Sequence, residues 1–355
     1  MYSIEKEAKR LFEIYANKKN NPMVLIGITN PNGRLIYQFG ENYKPDILSE
    51  NKVFEIGSVT KVFTGILLQT MISEQLVNLD DPIVKYKNSY KNALSSNSKE
   101  VTFRHLITHT SGLPREATNL KVKTRTNPYA NYNIEDLDRF FISYILKKEI
   151  DKKWRYSNVG VGFLGNLLSE ILGTTYDKAI QQRIFEPLGM TNSFVNWTPE
   201  QEKNMIKVMK KYKEIPPISL PAIEGAGAIR SNLNDMLTFL EANLGLYENP
   251  LQNILNESHN VYSHLGPYKK SKMGIGWVIT EEKDIDDHMT WHGGTTIGFH
   301  TYLSMIKSKK LGIVVCSTDR YSLWKILMII IGKQKMIAQD IGLDIFKYML
   351  KKESE

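Results

Sequence analysis

Phe54-Glu55-Ile56-Gly57-Ser58-Val59-Thr60-Lys61 is the stretch on which the reading of this chain turns. A short strand over 53–56 stops at Gly57. Beyond it Val62, Phe63, Ile66, Leu67, Thr70 and Met71 recur at the spacing of a helix with one apolar face. Ser58 and Lys61, three residues apart, fall on one side of the opening turn. A lysine held there can take the hydroxyl proton, provided its surroundings leave some amine neutral. Spacing alone is weak, because Ser-x-x-Lys begins at Ser3, Ser49, Ser58, Ser96, Ser304 and Ser322. Only the copy at Ser58 follows a strand and a glycine and opens an apolar helix. The competing reading of that copy is a capping serine with a surface lysine.

Working outward, Ile4, Ala8, Leu11, Phe12 and Tyr15 have helical spacing. Strand-like runs over 24–29 and 34–39 are joined by Asn30-Pro31-Asn32-Gly33, whose Asn-Gly step suits a hairpin. The middle reads as helices over 101–108, 134–146, 159–172 and 231–244. Thr198-Pro199-Glu200-Gln201 has the form of a capping box. Strands return over 276–280, 298–306 and 311–317, and 321–351 is again helical in spacing. The expected fold class is α/β (α+β): an α/β domain from both termini (1–82 plus 262–355), a mainly helical insert (83–261), and the active site between them.

Composition narrows the classes. With 42% hydrophobic and 24% charged residues the 355-residue chain is neither disordered nor a disulfide scaffold. The single cysteine, Cys316, lies in the apolar run Leu311–Ser317 and is expected to be a small buried residue. The formal net charge is +8, but 38 acidic residues are interspersed among 46 basic ones. The densest basic stretch, 203–213, also carries Met205, Ile206, Val208 and Met209, and reads as the polar side of a helix or loop. Nucleic acid is therefore not an expected partner. The first residues lack the apolar core of a secretory signal. The most apolar window, 323–331, is too short for a bilayer span, so no integral membrane segment is expected. With Met1 as the start, the expected location is cytoplasmic.

Two distant elements carry further chemistry. Tyr-x-Asn starts at Tyr15, Tyr86, Tyr90, Tyr129, Tyr156 and Tyr247. The copy at Tyr156 stands in Trp154-Arg155-Tyr156-Ser157-Asn158, on a loop leading into a small-residue helix. A phenol near amines can pass a proton to a leaving group, and the asparagine amide can hold a lysine and a substrate carbonyl. Trp291-His292-Gly293-Gly294-Thr295-Thr296 holds the only Gly-Gly pair of the chain. Glycines where a strand begins would let a substrate backbone come close. The bland readings are a buried structural tyrosine and a turn with a solvent-facing histidine.

Taken in order, Ser58-Val59-Thr60-Lys61, Tyr156-Ser157-Asn158 and His292-Gly293-Gly294 resemble the three active-site motifs of the serine β-lactamase and penicillin-binding-protein family. The tyrosine points to its class C β-lactamase, D,D-peptidase and family VIII esterase branch. The segments 105–114, 185–190 and 225–231 agree, and the resemblance spans about residues 10 to 350. It implies an antiparallel sheet flanked by helices with a helical subdomain. It also implies that Ser58 is the acylated nucleophile, Lys61 its activator and Tyr156 the proton shuttle. Asn158, His292, Gly293, Gly294 and Thr295 would meet the substrate, with the Ser58 and Thr295 N–H groups as oxyanion hole. The family's third motif usually reads Lys-Thr-Gly; here the lysine is replaced by His292, mostly neutral at pH 7. That shifts the expected substrate from penicillins toward an ester, an amide or a D-amino-acid peptide.

His105 and His109 have i, i+4 spacing, but no glutamate follows His105 and no further ligand is apparent, so neither a metal nor a cofactor is expected. The expected partner is a small-molecule or peptide substrate. Slow-turnover penicillin binding and acyl transfer share the same acyl-enzyme and remain open at the level of sequence.

Overall fold

A computed structural model describes residues 3–16, 21–41, 46–210, 213–265, 271–282, 287–319 and 337–353. Its centre is an eight-stranded antiparallel sheet. In chain order its strands are β1 (Val24–Asn30), β2 (Gly33–Phe39), β3 (Ser263–His264), β4 (Ser271–Met273), β5 (Val278–Glu282), β6 (Asp287–Thr295), β7 (His300–Ile306) and β8 (Leu311–Ser317). In space they run β2-β1-β8-β7-β6-β5-β4-β3. The N-terminal hairpin thus joins the last strand, with Val24 opposite Ser317 and Ile28 opposite Ile313.

The helices used below are α1 (Ile4–Tyr15), α2 (Thr60–Ser73), α3 (Ile134–Ser143), α4 (Asn158–Ile171), α5 (Leu233–Leu244) and α6 (Ile337–Glu353). Alternation along the strands divides their side chains between two cores. Val24, Ile26, Ile28, Tyr302, Ile313 and Val315 pack outward under α1 and α6. Leu25, Leu303, Met305, Val314 and Cys316 pack inward with α2 and α5. Cys316 is buried as expected, and burial pushes its thiol up. None of the helices over the described residues is long and apolar enough to cross a membrane.

Several expectations change. The strand containing Phe54–Glu55 does not join the main sheet but pairs with Arg230–Ser231. Helix α2 has no single apolar face: every residue from Thr60 to Met71 is buried, because it runs through the centre of the larger core. The helix over 134–146 ends at Ser143, where Tyr144 is already extended. The basic stretch 203–213 is a helix end followed by a two-residue ribbon, Met209–Lys210 against Lys213–Glu214. Met205, Ile206 and Val208 turn inward there. Strand β6 reads poorly in sequence because Asp287, His288, Thr290 and His292 interrupt its alternation. Of the helix expected over 321–351, residues 321–336 lie outside the described residues.

Candidate active site

Gly57 sets the geometry of the segment that carries Ser58 and Lys61. Its φ is +51°, in the left-handed region, and Gly57–Val59 forms a single 3-10 turn before α2. Ser58 sits on that turn and Lys61 on the first turn of α2. The Lys61 Nζ lies 3.1 Å from Ser58 Oγ and 2.6 Å from the carbonyl of Ala226. A carbonyl only accepts, so one N–H of the lysine is committed to Ala226, which aims the rest of the group at the serine. Lys61 is 1% exposed, so its amine has little freedom to leave this position. The turn carrying Ala226 is held in its own right. Thr64 Oγ1 donates to the Gly225 carbonyl at 2.7 Å, and a Cβ at Gly225 would stand 3.0 Å from the Cα of Gly165.

The second segment hangs over the first. The Tyr156 ring has Lys61 Nζ 4.9 Å and Arg115 Cζ 5.0 Å from its centroid. Beside it lies the imidazole of His109, 4.4 Å between centroids. His109 is a structural hub. Its Nδ1 accepts the Ser157 N–H at 3.2 Å, and its carbonyl accepts the Arg155 N–H at 2.7 Å. Burial first, then the Lys61 charge, hold His109 well below its ordinary pKa, which keeps Nδ1 an acceptor. His105 closes a capping box with Thr102. Among the described residues no group of three His, Cys, Asp or Glu side chains could hold a metal ion. Ser157 caps α4 through the Gly160 N–H, which directs Asn158 out of the first turn. The Asn158 Nδ2 donates to Glu116 Oε1 at 2.6 Å.

The third segment corrects the sequence reading. Gly293 and Gly294 lie near the end of β6, not where a strand begins, and β6 is not an edge strand. Its pairing with β5 nevertheless stops at Trp291, while that with β7 continues to Thr295. Residues 292–295 thus reach past β5 toward the serine. A Cβ on Gly294 would stand 1.9 Å from the Ile56 carbonyl oxygen, and one on Gly57 2.7 Å from the Thr295 nitrogen. Only glycine lets these backbones touch. His292 is neither solvent-facing nor on the cavity wall: it is 5% exposed, and its Nδ1 donates to the Gly293 carbonyl at 2.8 Å. Burial and the nearby Lys61 charge push its pKa down to about 3, so it lies neutral behind the cavity wall.

Sequence reasoning missed a buried ion pair that ties these segments together. Glu55, one residue before Ile56, faces Arg230 with Oε1 3.7 Å from the guanidinium. It accepts the Ile218 N–H at 2.5 Å and a bond from the Thr296 hydroxyl. Burial pulls both partners toward neutrality, the carboxyl upward and the guanidinium downward, and each opposes the shift of the other. The strand before Ser58, the residue after Thr295 and the wall at Ile218 are thereby fixed to one carboxylate. In sequence only the pairing of a charge with flanking apolar residues hinted at this. Tyr129, in a Tyr-x-Asn copy that sequence reasoning set aside, also reaches the site.

Ser58, Tyr129, Asn158, Leu220, Gly227 and Thr295 line part of a cavity of about 340 Å³. The segment 196–221 contributes its wall through Ile218 and Leu220. Tyr156 stands above the lysine, and the Ser58 and Thr295 backbones share one side. A serine and an amine under a phenol, between a helical layer and a sheet, define the serine β-lactamase/transpeptidase-like class of fold.

The comparisons agree. The Beta-lactamase family model matches residues 9–325, and the chain belongs to that family, whose members are serine hydrolases. It is 25% identical over 312 residues to a β-lactamase of Escherichia coli K12, covering 78% of each chain. It is 26% identical to the D-alanyl-D-alanine-carboxypeptidase/endopeptidase AmpH of the same organism, covering 82% of this chain and 78% of AmpH. The match to Protein flp of Staphylococcus aureus is 24% identical and covers 80% of this chain but 57% of that protein. Among solved structures, a class C β-lactamase from Rhodobacter sphaeroides superposes with a TM-score of 0.76 at 20% identity, covering 97% and 99% of the two chains.

Proposed function

We propose that this chain is a serine hydrolase working through an acyl-enzyme on Ser58, and that its substrate is an ester, an amide or a D-amino-acid peptide, with β-lactams turned over more weakly. The observation that carries the reading is the Lys61 amine, 3.1 Å from the Ser58 hydroxyl and steered there by the Ala226 carbonyl. As Ser58 Oγ attacks the substrate carbonyl, its proton passes to Lys61. The negative charge that develops on the carbonyl oxygen is received by the Ser58 and Thr295 N–H groups, a contribution of about 3 kcal/mol for such a donor. Tyr156 relays a proton to the departing group, which leaves as a neutral alcohol or amine. Water then repeats the sequence on the acyl-enzyme and restores Ser58. Glu55 and Arg230 act at one remove, as positioning residues for the two backbones of the oxyanion site.

The substrate class rests on the third segment. A neutral, buried His292 supplies no fixed cation for the carboxylate that penicillins carry. The relative named a carboxypeptidase supports D-amino-acid peptides. Intact-protein mass spectrometry with an activated ester, a cephalosporin and a D-alanyl peptide tests the proposal. It predicts a transient adduct on Ser58 with the ester, fast return to the free mass, and slower turnover of the cephalosporin. A persistent adduct with every compound would replace hydrolysis by slow-turnover binding. An amide product on adding an amine would replace it by acyl transfer.

A further inference from the structure

Among the described residues the side chains lining the cavity are uncharged, Ser58, Tyr129, Asn158, Leu220 and Thr295 among them, and the Lys61 amine lies behind Ser58. Behind Ile218 and Thr296 the charges of Glu55 and Arg230 face each other, whereas Arg115 and Glu116 lie on the loop beside Asn158. Glu116 decides which end of the Asn158 amide a substrate meets. A carboxylate oxygen only accepts, so the atom 2.6 Å from it must be the amide nitrogen, which settles the amide orientation. The Tyr129 hydroxyl faces the same pair; burial and the Glu116 charge push its pKa up, so the phenol stays protonated. With its nitrogen turned to Glu116, Asn158 has its Oδ1 on the opposite side, and that oxygen takes no hydrogen bond from the described residues. The cavity therefore presents an acceptor here, with a carboxylate behind it, where the sequence suggested a donor to a substrate carbonyl.

We propose that Glu116 sets the charge preference of the cleft, and that the favoured substrates carry a free ammonium on the acyl group, received by Asn158 Oδ1 with the Glu116 carboxylate behind it. This rests on the reading that Ser58 is acylated from this cavity. An ammonium gains from both acceptors. An N-acylated counterpart has no positive charge for Glu116, offers one N–H in place of three, and brings a carbonyl toward an acceptor. Among the described residues Arg115 and Lys61 oppose an ammonium here, and the Lys61 amine is already held by the Ala226 carbonyl and Ser58. The Arg115 Nε is 3.7 Å from Glu116 Oε1, but its side chain is 69% exposed and its guanidinium lies on the Tyr156 ring, so solvent weakens its offset.

The test uses 4-nitrobenzyl esters of alanine, both enantiomers, each with a free and with an acetylated amino group. The wild-type protein should favour the free amine in kcat/KM by about tenfold, the scale of one charge-assisted hydrogen bond. The preference should shrink as ionic strength rises, and the ratio should fall toward one in Glu116→Gln. That variant is nearly isosteric and keeps an acceptor for Asn158, and its melting temperature shows that it is folded. A wild-type ratio near one, or a ratio unchanged by Glu116→Gln, overturns the inference while Ser58-dependent hydrolysis stands. If instead Ser58→Ala hydrolyses these esters as fast as wild type and no adduct forms on Ser58, the acyl-enzyme reading fails, and this inference with it.

Discussion

The two faces of the sheet are built on different terms. The outer face, under α1 and α6, is an aliphatic and aromatic sandwich of residues such as Ile26, Ile313, Ile341 and Phe346. The inner face has a larger apolar core, yet Glu55, Lys61, His109, Arg230 and His292 are buried in or beside it. Burying charges costs more than it returns unless each is paired and hydrogen-bonded. The outer face therefore contributes stability with few polar demands. The inner face spends part of that stability on holding polar groups at fixed places. What the difference teaches is where to look for function: Glu55, Lys61, His109, Arg230 and His292 collect on one side of the sheet, while the outer side buries scattered groups such as Glu7 and Tyr302.

Each prediction either breaks that contrast or sharpens it. The largest effect is on catalysis alone. Ser58→Ala should lower ester turnover by at least about a thousandfold and leave the melting temperature nearly unchanged. Initial rates and a thermal melt check both, and a residual rate within about tenfold of wild type would break the assignment. Next comes Arg230→Met, which strands the Glu55 charge and should cost about 3–5 kcal/mol in denaturant unfolding. Pairing it with Glu55→Gln should restore part of the loss. On the outer face Ile341→Ala should cost about 2–5 kcal/mol, with kcat/KM of the folded protein unaffected; a loss of activity there would blur the contrast.

Acid should act through the inner face. His259, whose Nε2 is 2.9 Å from Asn243 Oδ1 and whose Nδ1 is 3.2 Å from Lys307 Nζ, is pushed to about 3 by burial and the Lys307 charge. His292 is pushed equally low. Both have ordinary values of 6.5 once unfolded, so between about 6.5 and 3 the unfolded chain binds more protons. Stability is thus complete above 6.5 and lost as the pH falls through that window. His259→Gln should make the slope shallower, read from urea midpoints across the window. The smallest effect is expected from Arg34→Ala. Arg34 donates to Glu241 at 2.7 and 2.6 Å across the sheet edge, but in contact with water, so its loss should cost below about 1 kcal/mol.

Much of this was legible in the sequence because local physics and tertiary need agree there. The hairpin at Asn30–Gly33, the glycine before Ser58 and the helix after it each have a single strong local signal. Strand β6 was hidden because Thr290 and His292 are polar yet buried, and Asp287 and His288 add polar residues at its far end. The depth of α2 was hidden because Thr60, Thr64 and Gly65 look polar until Ile229, Tyr176, Gly225 and Ile275 close over them. Glu55 and Arg230 could not be paired from sequence, since nothing local links residues 175 positions apart. Glu116 stayed silent for a similar reason: its effect passes through Asn158, 42 residues on.

The close approach of Gly294 to Ile56 has a consequence for how the protein comes into being. Ser58 leaves the ribosome early, but the backbone that closes against its segment is made more than two hundred residues later, and β1 must wait for β8. A nascent chain that has exposed Ser58 and Lys61 is therefore chemically idle. Appearance of hydrolysis during synthesis or refolding would mark closure of the whole sheet, making the reaction its own clock for the last step of folding.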